Sequence, residues 1–346
     1  MMNHNIYMKR CFDLARLGAG SVSPNPMVGA VLVHKGRIIG EGWHKRYGQA
    51  HAEVNAVASV REEERHLIKD STIYVSLEPC SIFGKTPPCT GLILKEGIKK
   101  VVISCIDHTP GVKGSGVHIL ENAGVEVIYG TLKSQGEQIS RFRNIYTEKQ
   151  RPYITLKFAQ SANGFMGVVG QQVWISREFS KRLVHQMRSE YDAILIGTET
   201  ALTDNPQLNN RLWYGKSPVR VLLDKGARVP VGHKIFGEEQ KTIIVSENKL
   251  KGLPGHLTSF QLPFDENLLP NLLAKLAENR LTSLIVEGGA FTLKKFIQQN
   301  LWDEAWVFTG DKLITDGIPA PLLSGKNAGS WPLGKDVLQV FLNAFA

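Results

Sequence analysis

Twice along this chain, short runs of β-branched and aliphatic residues alternate with segments of helical periodicity, and between the two series the alternation breaks once. The first series opens at residues 6–19, where Met8, Phe12, Ala15 and Ala19 recur at helical spacing. Residues 28–33 (Val-Gly-Ala-Val-Leu-Val), a Lys35-Gly36 turn and residues 37–40 read as a β-hairpin. The pattern then predicts a helix over 52–60, a strand over 72–77, a helix over 90–96, a strand over 100–104, a helix over 116–123, a strand over 125–128 and a helix over 133–146. A polar stretch, Glu148-Lys149-Gln150-Arg151-Pro152, interrupts it. Proline lacks an amide hydrogen and biases the residue before it toward extended backbone, so a helix cannot run through this point. The second series places strands over 153–158, 193–197, 219–224, 242–245, 283–287 and 304–308, with helices over 177–188, 267–278 and 291–298. Alternation of this kind makes layered α/β domains. The length of 346 residues exceeds the ~100–200 typical of one domain, so two α/β domains are expected, over 1–147 and 151–346.

Composition narrows the class. Hydrophobic residues make up 42% and charged residues 21%, which excludes a disordered or fibrous chain. The 41 Lys and Arg against 32 acids give +9, spread without a basic run. That pattern fits a solvated basic surface or attraction for a phosphorylated metabolite, and it argues against a nucleic-acid-binding tail. No apolar stretch approaches the ~20 residues of a membrane helix, and residues 1–13 lack a signal-peptide core, so a cytoplasmic protein without a membrane partner is expected. The four cysteines, Cys11, Cys80, Cys89 and Cys105, all fall in the first third. A disulfide framework would not leave the rest of the chain bare, so metal binding or inert burial is the expectation.

His51-Ala52-Glu53, then Pro79-Cys80, then Cys89 form the strongest chemical constellation. One imidazole and two thiolates suit a tetrahedral zinc with water in the fourth position. His51 opens a helix, Cys80 follows a strand and Cys89 precedes a helix, and a helix N-terminus favours thiolate over thiol. Glu53, two residues from His51, can stand beside the metal without ligating it and move a proton. The plainer reading is a structural zinc closed by a fourth protein ligand, for which Cys11 or Cys105 would have to serve. Cys105 ends an apolar strand and reads as core. His-x-Glu followed by Pro-Cys and a further Cys is the signature of the zinc deaminases, with Glu53 as catalytic acid/base and His51, Cys80 and Cys89 as ligands.

With these residues the chain resembles the cytidine-deaminase superfamily. The insert Gly84-Lys85-Thr86-Pro87-Pro88 between the cysteines, together with Asn25-Pro26-Met27-Val28-Gly29-Ala30-Val31 and Gly42-Trp43-His44, resembles the pyrimidine deaminases of riboflavin biosynthesis. That resemblance implies that Asn25, Glu53 and Lys85 face the substrate. By their local sequence alone, Asn25-Pro26 would be an ordinary turn and Lys85 a solvated loop charge. Ile82 stands where the family commonly has His, and Asp107-His108-Thr109-Pro110 where it has Asp-Pro-Asn-Pro. Residues 111–116 are glycine-rich but match no phosphate-loop spacing and read as a plain loop.

In the second half, Val286-Glu287-Gly288-Gly289 ends a strand and opens a helix. Paired glycines there fit a helix-opening turn and equally a phosphate approach to the helix N-terminus. No Gly-x-Gly-x-x-Gly is present. In chain order Leu156–Gly164, Trp174-Ile175-Ser176, Thr198–Pro206, Arg220–Asp224 and Glu287-Gly288-Gly289 resemble the reductase of riboflavin biosynthesis. The resemblance extends from about Pro152 to Phe308, in the order deaminase then reductase. It implies an N-terminal cytidine-deaminase-like α/β/α domain and a C-terminal dihydrofolate-reductase-like α/β domain. Zinc and NADPH are the implied cofactors. Ala159, Trp174, Thr200, Asp204, Gly289, Ala290, Phe291, Thr292 and Leu293 would line the NADPH site. Lys157, Gln172, Arg188, Leu208, Arg211 and Glu287 would face the substrate, Arg188 and Arg211 suiting a ribose phosphate. Asn163 replaces an Asp before Gly164, Lys225 stands where the family has Ser and could meet a cofactor phosphate, and Thr309-Gly310-Asp311-Lys312 replaces Ala-Pro-Lys. The partner expected is a phosphorylated pyrimidine, with homo-oligomerisation left open. The rival is a nucleotide or tRNA deaminase with an accessory domain, which the cysteine spacing and the second-half motifs disfavour.

Overall fold

The computed structural model describes residues 3–344. Residues 1, 2, 345 and 346, which the expected domain ranges include, lie outside them. The chain divides between Gln150 and Arg151 into two compact units. Among the described residues no helix is long and apolar enough to cross a membrane.

The N-terminal unit runs α1 (His4–Arg16), β1 (Gly29–His34), β2 (Arg37–Trp43), α2 (Ala52–Ala58), β3 (Thr72–Leu77), α3 (Cys89–Lys95), β4 (Lys100–Cys105), α4 (Ser115–Asn122), β5 (Glu126–Tyr129), α5 (Lys133–Ile139) and α6 (Arg141–Lys149). A 3-10 segment, Glu62–Asp70, links α2 to β3 and was not foreseen from the periodicity. The sheet order is β2-β1-β3-β4-β5; β1 pairs antiparallel with β2 and β3, and β3, β4 and β5 are parallel. Alternate strand residues serve opposite layers. Leu32, Ile73, Val75, Val101 and Ile103 pack with Ala56, Ile93 and Leu120 of α2, α3 and α4. Val31, Val33, Tyr74 and Val102 pack with Met8, Phe12, Ala15 and Ile139 of α1 and α5. Burial on both faces is why these strands read as continuous apolar runs. A Cβ on Gly42 would lie 2.3 Å from the Ala56 amide nitrogen, so glycine is what lets β2 pass beneath α2.

Two helix limits differ from the periodicity. α1 ends at Arg16 rather than at residue 19, where the Leu17 and Gly18 amides turn back onto Leu14 and Ala15. The helix expected over 133–146 is two helices dividing at Ser140, whose φ of −87° and ψ of 3° depart from helical values.

The C-terminal unit runs β6 (Tyr153–Gln160), β7 (Phe165–Gly167), α7 (Glu178–Glu190), β8 (Ala193–Gly197), α8 (Thr198–Asp204), β9 (Val219–Leu223), β10 (Thr242–Ser246), β11 (Leu257–Gln261), α9 (Leu268–Glu278), β12 (Ser283–Val286), α10 (Ala290–Gln298), β13 (Glu304–Thr309), β14 (Ile318–Pro319), β15 (Gly325–Leu333) and β16 (Asp336–Asn343). Nine strands form one sheet in the order β11-β10-β9-β8-β12-β6-β13-β16-β15. The first seven in this order are parallel, and β16 and β15 add antiparallel. Leu156, Leu195, Val221, Val245 and Val286 share a core with Leu272 and Leu276 of α9 and Phe296 of α10. Val184 of α7 packs with Phe308, Leu338 and Val340. Because β12 enters between β8 and β6, the carboxyl ends of these three strands lie side by side, and in open parallel sheets ligands bind at such a reversal of strand order.

Candidate functional site

In the N-terminal unit His51 is the N-cap of α2, Cys80 follows β3 and Cys89 opens α3. Their donor atoms all lie within 4.8 Å of one another, the one group of this kind among the described residues. His51 Nδ1 is 3.5 Å from Cys80 Sγ and 3.4 Å from Cys89 Sγ. With Nδ1 facing the sulfurs, Nε2–H donates to Thr86 Oγ1 at 3.3 Å, the kind of outer hydrogen bond that fixes the tautomer of a ligating imidazole. The Cys89 amide donates to Cys80 Sγ at 3.3 Å. The hydrogen bond from Cys89 draws the Cys80 thiol well below its ordinary value, and the same bond and burial push Cys89 far up. Each sulfur thus opposes the ionisation of the other, and a cation between them would relieve that opposition. This donor set fits zinc. Cys11 and Cys105 are elsewhere, donating to the Tyr74 and Ser76 carbonyls at 3.4 and 3.6 Å, and burial pushes both thiols up.

Glu53 lies in the first turn of α2 and is only 3% exposed. Burial and the neighbouring Cys80 raise its carboxyl, opposed by His51 and a hydrogen bond from Cys89. It lines a cavity of about 430 Å³ with Asn25, His44, His51, Lys85 and Arg143. Burial lowers the His44 imidazole, and its Nδ1 faces the Ala50 carbonyl, to which it donates at 3.1 Å. Its Nε2 then accepts from Asn25 Nδ2 at 3.2 Å, leaving the Asn25 amide oxygen as the acceptor for a ligand. The buried Glu78 carboxylate accepts from the amides of Asp107, Gly114, Gly116 and Val117. The glycine-rich 111–116 loop therefore turns its amides to Glu78.

In the C-terminal unit Glu287 stands just past β12, beside β6. Arg188, in the last turn of α7, meets it through Nε and Nη2 at 3.2 and 3.0 Å. Lys157 Nζ of β6 is 3.5 Å from the same carboxylate. Burial alone would raise Glu287, but Arg188 and Lys157 outweigh it and hold the carboxyl at about 2. The remaining Arg188 terminal nitrogen, Nη1, donates to the Asn209 carbonyl at 3.1 Å. Arg211 is exposed; its side chain holds Asn209 Oδ1 at 2.9 Å and its amide donates to His185 Nδ1 at 3.1 Å. Burial, then Arg188 and Arg211, push the His185 imidazole down to about 4.

Of the expected cofactor residues, Thr200 and residues 289–293 meet where α8 and α10 begin. Gly289 caps α10, and a Cβ on it would reach Thr200 Oγ1 at 3.1 Å, so α8 and this turn are neighbours. A Cβ on Gly288 would lie 2.8 Å from Thr292 Cβ, so the absence of a side chain lets the first turn of α10 fold over the strand end. Thr292 and Leu293 point into the core, whereas Phe291 is 75% exposed beside Ala290. Two helix starts and a bare glycine turn at adjacent strand ends fit a dinucleotide phosphate.

Two family models match the chain: the cytidine and deoxycytidylate deaminase zinc-binding region over residues 1–105, and the RibD C-terminal domain over residues 152–329. The riboflavin biosynthesis protein RibD of Aquifex aeolicus is 38% identical, with 90% of this chain and 88% of that one aligned. RibD of Bacillus amyloliquefaciens is 38% identical over 92% of this chain and 88% of that one. The chain belongs to the RibD family. A Thermotoga maritima diaminohydroxyphosphoribosylaminopyrimidine deaminase/5-amino-6-(5-phosphoribosylamino)uracil reductase superposes with a TM-score of 0.92 at 34% identity, covering 99% of both chains. RibD proteins are bifunctional enzymes of riboflavin biosynthesis. This member accordingly pairs a zinc-binding deaminase unit with an NADPH-using reductase unit.

Seen as a RibD site, the structure brings together His51, Cys80, Cys89, Glu53, Asn25 and Lys85 in the first unit, and Lys157, Arg188 and Glu287 in the second. Arg211 joins that second group through His185 and Asn209. Gln172 and Trp174 stand exposed on the segment before α7, with Lys181 Nζ 4.2 Å from the Trp174 ring centroid. Asp204 ends α8, exposed; Ala159 of β6 pairs with Phe308 of β13; Leu208 is buried with φ of +55°. Lys225 faces Glu247 at 3.3 Å. Sequence reasoning missed Glu78, Arg143 and His185. Glu78 adjoins Pro79-Cys80 and was within reach of that motif, but no sequence signal marks Arg143.

Proposed function

We propose that this cytoplasmic enzyme hydrolytically deaminates 2,5-diamino-6-(5-phosphoribosylamino)pyrimidin-4(3H)-one in residues 1–147 and reduces the ribosyl chain of the product in residues 151–346. The final product is 5-amino-6-(5-phosphoribitylamino)uracil. One observation carries the reading: three metal donors converge beside a buried carboxylate in a cavity large enough for a pyrimidine. His51, Cys80 and Cys89 would hold zinc, which lowers the pKa of a bound water from about 15.7 to about 7. Glu53 takes the proton of the attacking water and delivers it to the leaving amine. Its burial raises its basicity and keeps bulk water from competing. The Asn25 amide oxygen, oriented by His44, accepts from a ring N–H or an amino group, and Lys85 serves the polar end of the substrate.

In the second unit NADPH supplies the hydride. Gly289, Ala290, Phe291, Thr292 and Leu293, with Ala159, Trp174, Thr200 and Asp204, would hold it. Glu287 stays ionised between Lys157 and Arg188 and accepts hydrogen bonds from substrate hydroxyls or ring nitrogens. Arg211, whose side chain meets no carboxylate among the described residues, takes the phosphate; Arg188, engaged with Glu287, fixes that carboxylate; Gln172 and Leu208 complete the substrate side. The substrate is a small phosphorylated pyrimidine rather than a nucleic acid. The test is to supply the diaminopyrimidine phosphate with and without NADPH. Ammonia and the aminouracil are expected without NADPH, and the ribityl product with it. Reduction with no ammonia release, or ammonia release from cytidines but not from this substrate, would overturn the reading.

A further inference from the structure

We propose that Arg143 binds the phosphate of the deaminase substrate, an inference that rests on the deamination proposed above. In the sequence Arg143 is one charge on a polar helix. In the structure α6 places it in the wall of the cavity that holds Glu53 and His51. Its guanidinium is anchored by neutral acceptors: Nη1 donates to the Pro24 carbonyl at 3.4 Å and Nη2 to Thr109 Oγ1 at 3.1 Å. The Thr109 hydroxyl donates its own hydrogen to Asp107 Oδ1 at 2.6 Å, which leaves its oxygen lone pairs to accept from Arg143. Among the described residues no carboxylate pairs with Arg143, and its Nε is buried without an acceptor. Nη1 and Nη2 each carry a second hydrogen that the two acceptors leave unused, and these are the donors an incoming oxyanion would take.

The charge balance of the cavity points the same way. Glu53 and Asp107 both line it, so an anionic substrate needs cations there to bind at all. Lys85 is one, with Nζ 4.2 Å from the Tyr47 ring centroid. Arg143 is the other, and its planar fork suits the geometry of phosphate oxygens. Arg188 makes the contrast: its guanidinium is engaged by Glu287, whereas that of Arg143 is held in place with donors to spare. The reacting amino group must sit at Glu53, so the ribose phosphate must occupy another part of the wall.

The test measures ammonia release by the zinc-loaded full chain from the diaminopyrimidine phosphate and from its dephosphorylated counterpart. Arg143→Ala should lower the ratio of kcat/KM for the two substrates about 10- to 100-fold, chiefly through KM of the phosphorylated one. Arg143→Lys should restore part of the ratio. Zinc content reports whether each variant is folded around its site, and if the alanine variant loses metal, the lysine and glutamine variants give the same comparison. If the variants slow both substrates equally and the ratio stands, Arg143 only braces the Thr109–Asp107 turn and the proposal falls. If the wild-type enzyme deaminates both substrates at one ratio near unity, the deamination stands and phosphate recognition in this cavity falls. If the wild type releases no ammonia from either, the deamination reading falls and takes this one with it.

Discussion

The two units assemble their polar groups by opposite means. The N-terminal metal cluster gathers electron-pair donors at its centre, one imidazole and two sulfurs within 4.8 Å with a buried carboxylate close by, and keeps its cations, Lys85 and Arg143, to the cavity wall. The C-terminal site mixes signs, and Glu287 is neutralised by Arg188 and Lys157 from its own chain. The first arrangement is chemically complete only around a cation, whereas the second needs no metal to keep its carboxylate ionised. The comparison teaches that the two activities depend on separate physical supports, so each should fail alone.

The sharpest break is at the metal. Cys80→Ser or Cys89→Ser, or treatment with a strong chelator, should remove about one zinc per chain and abolish ammonia release while leaving reduction of the deaminated intermediate intact. Cys105→Ser should keep the metal. Zinc analysis beside the two assays decides it; loss of metal in Cys105→Ser with retention in Cys89→Ser would reverse the ligand assignment. Next in size is Glu53→Gln, which should retain zinc and cost about 10²- to 10⁴-fold in ammonia release, with the reductase unaffected. Equal loss of both activities in the folded variant would contradict separate sites.

Within the reductase the comparison narrows to the two sides of the proposed binding site. Arg211→Ala should raise KM for the phosphorylated intermediate about 10- to 100-fold and leave NADPH affinity nearly unchanged. Gly289→Val should do the reverse, as its branches would fill the space before α10. Substrate titration at saturating NADPH and NADPH fluorescence titration separate them. The smallest effect expected is a tilt in stability with pH. His185 is held down to about 4 in the fold, against about 6.5 unfolded, so the unfolded chain binds the extra proton first. Stability of the C-terminal unit should therefore rise as pH goes from about 4 to about 6.5, and His185→Gln should flatten that rise in thermal unfolding curves.

What the sequence makes legible follows from where each signal resides. Strands β3 and β4 are buried on both faces, so their apolar runs stand out. β16 is buried on alternate residues only, Asp336, Leu338 and Val340, and it joins β13 antiparallel; the βα alternation that organises the rest of the unit ends before it, so the sequence reading placed no strand there, and its Asp336 proves to accept from the Arg177 amide and Ser180 hydroxyl at the start of α7. The metal triad was readable because ligand chemistry restricts residue type and because each ligand sits at an element junction. Asn25 and Lys85 came only through resemblance, since a turn and a loop charge look alike in any protein. Arg143 was not readable at all: its role depends on Pro24 and Thr109, which are distant in sequence and meet it only after folding.

The segment between Cys80 and Cys89 has a consequence of its own. A metal held at both of its ends acts as a cross-link, closing a short loop and removing chain entropy much as a disulfide would. Lys85 and Thr86 lie in the middle of that loop, the one facing the cavity and the other meeting the His51 ring. Ordering the loop around zinc would therefore pre-position Lys85, the group proposed to meet the substrate. By reciprocity, substrate that orders the same loop must hold the metal more tightly by the same factor.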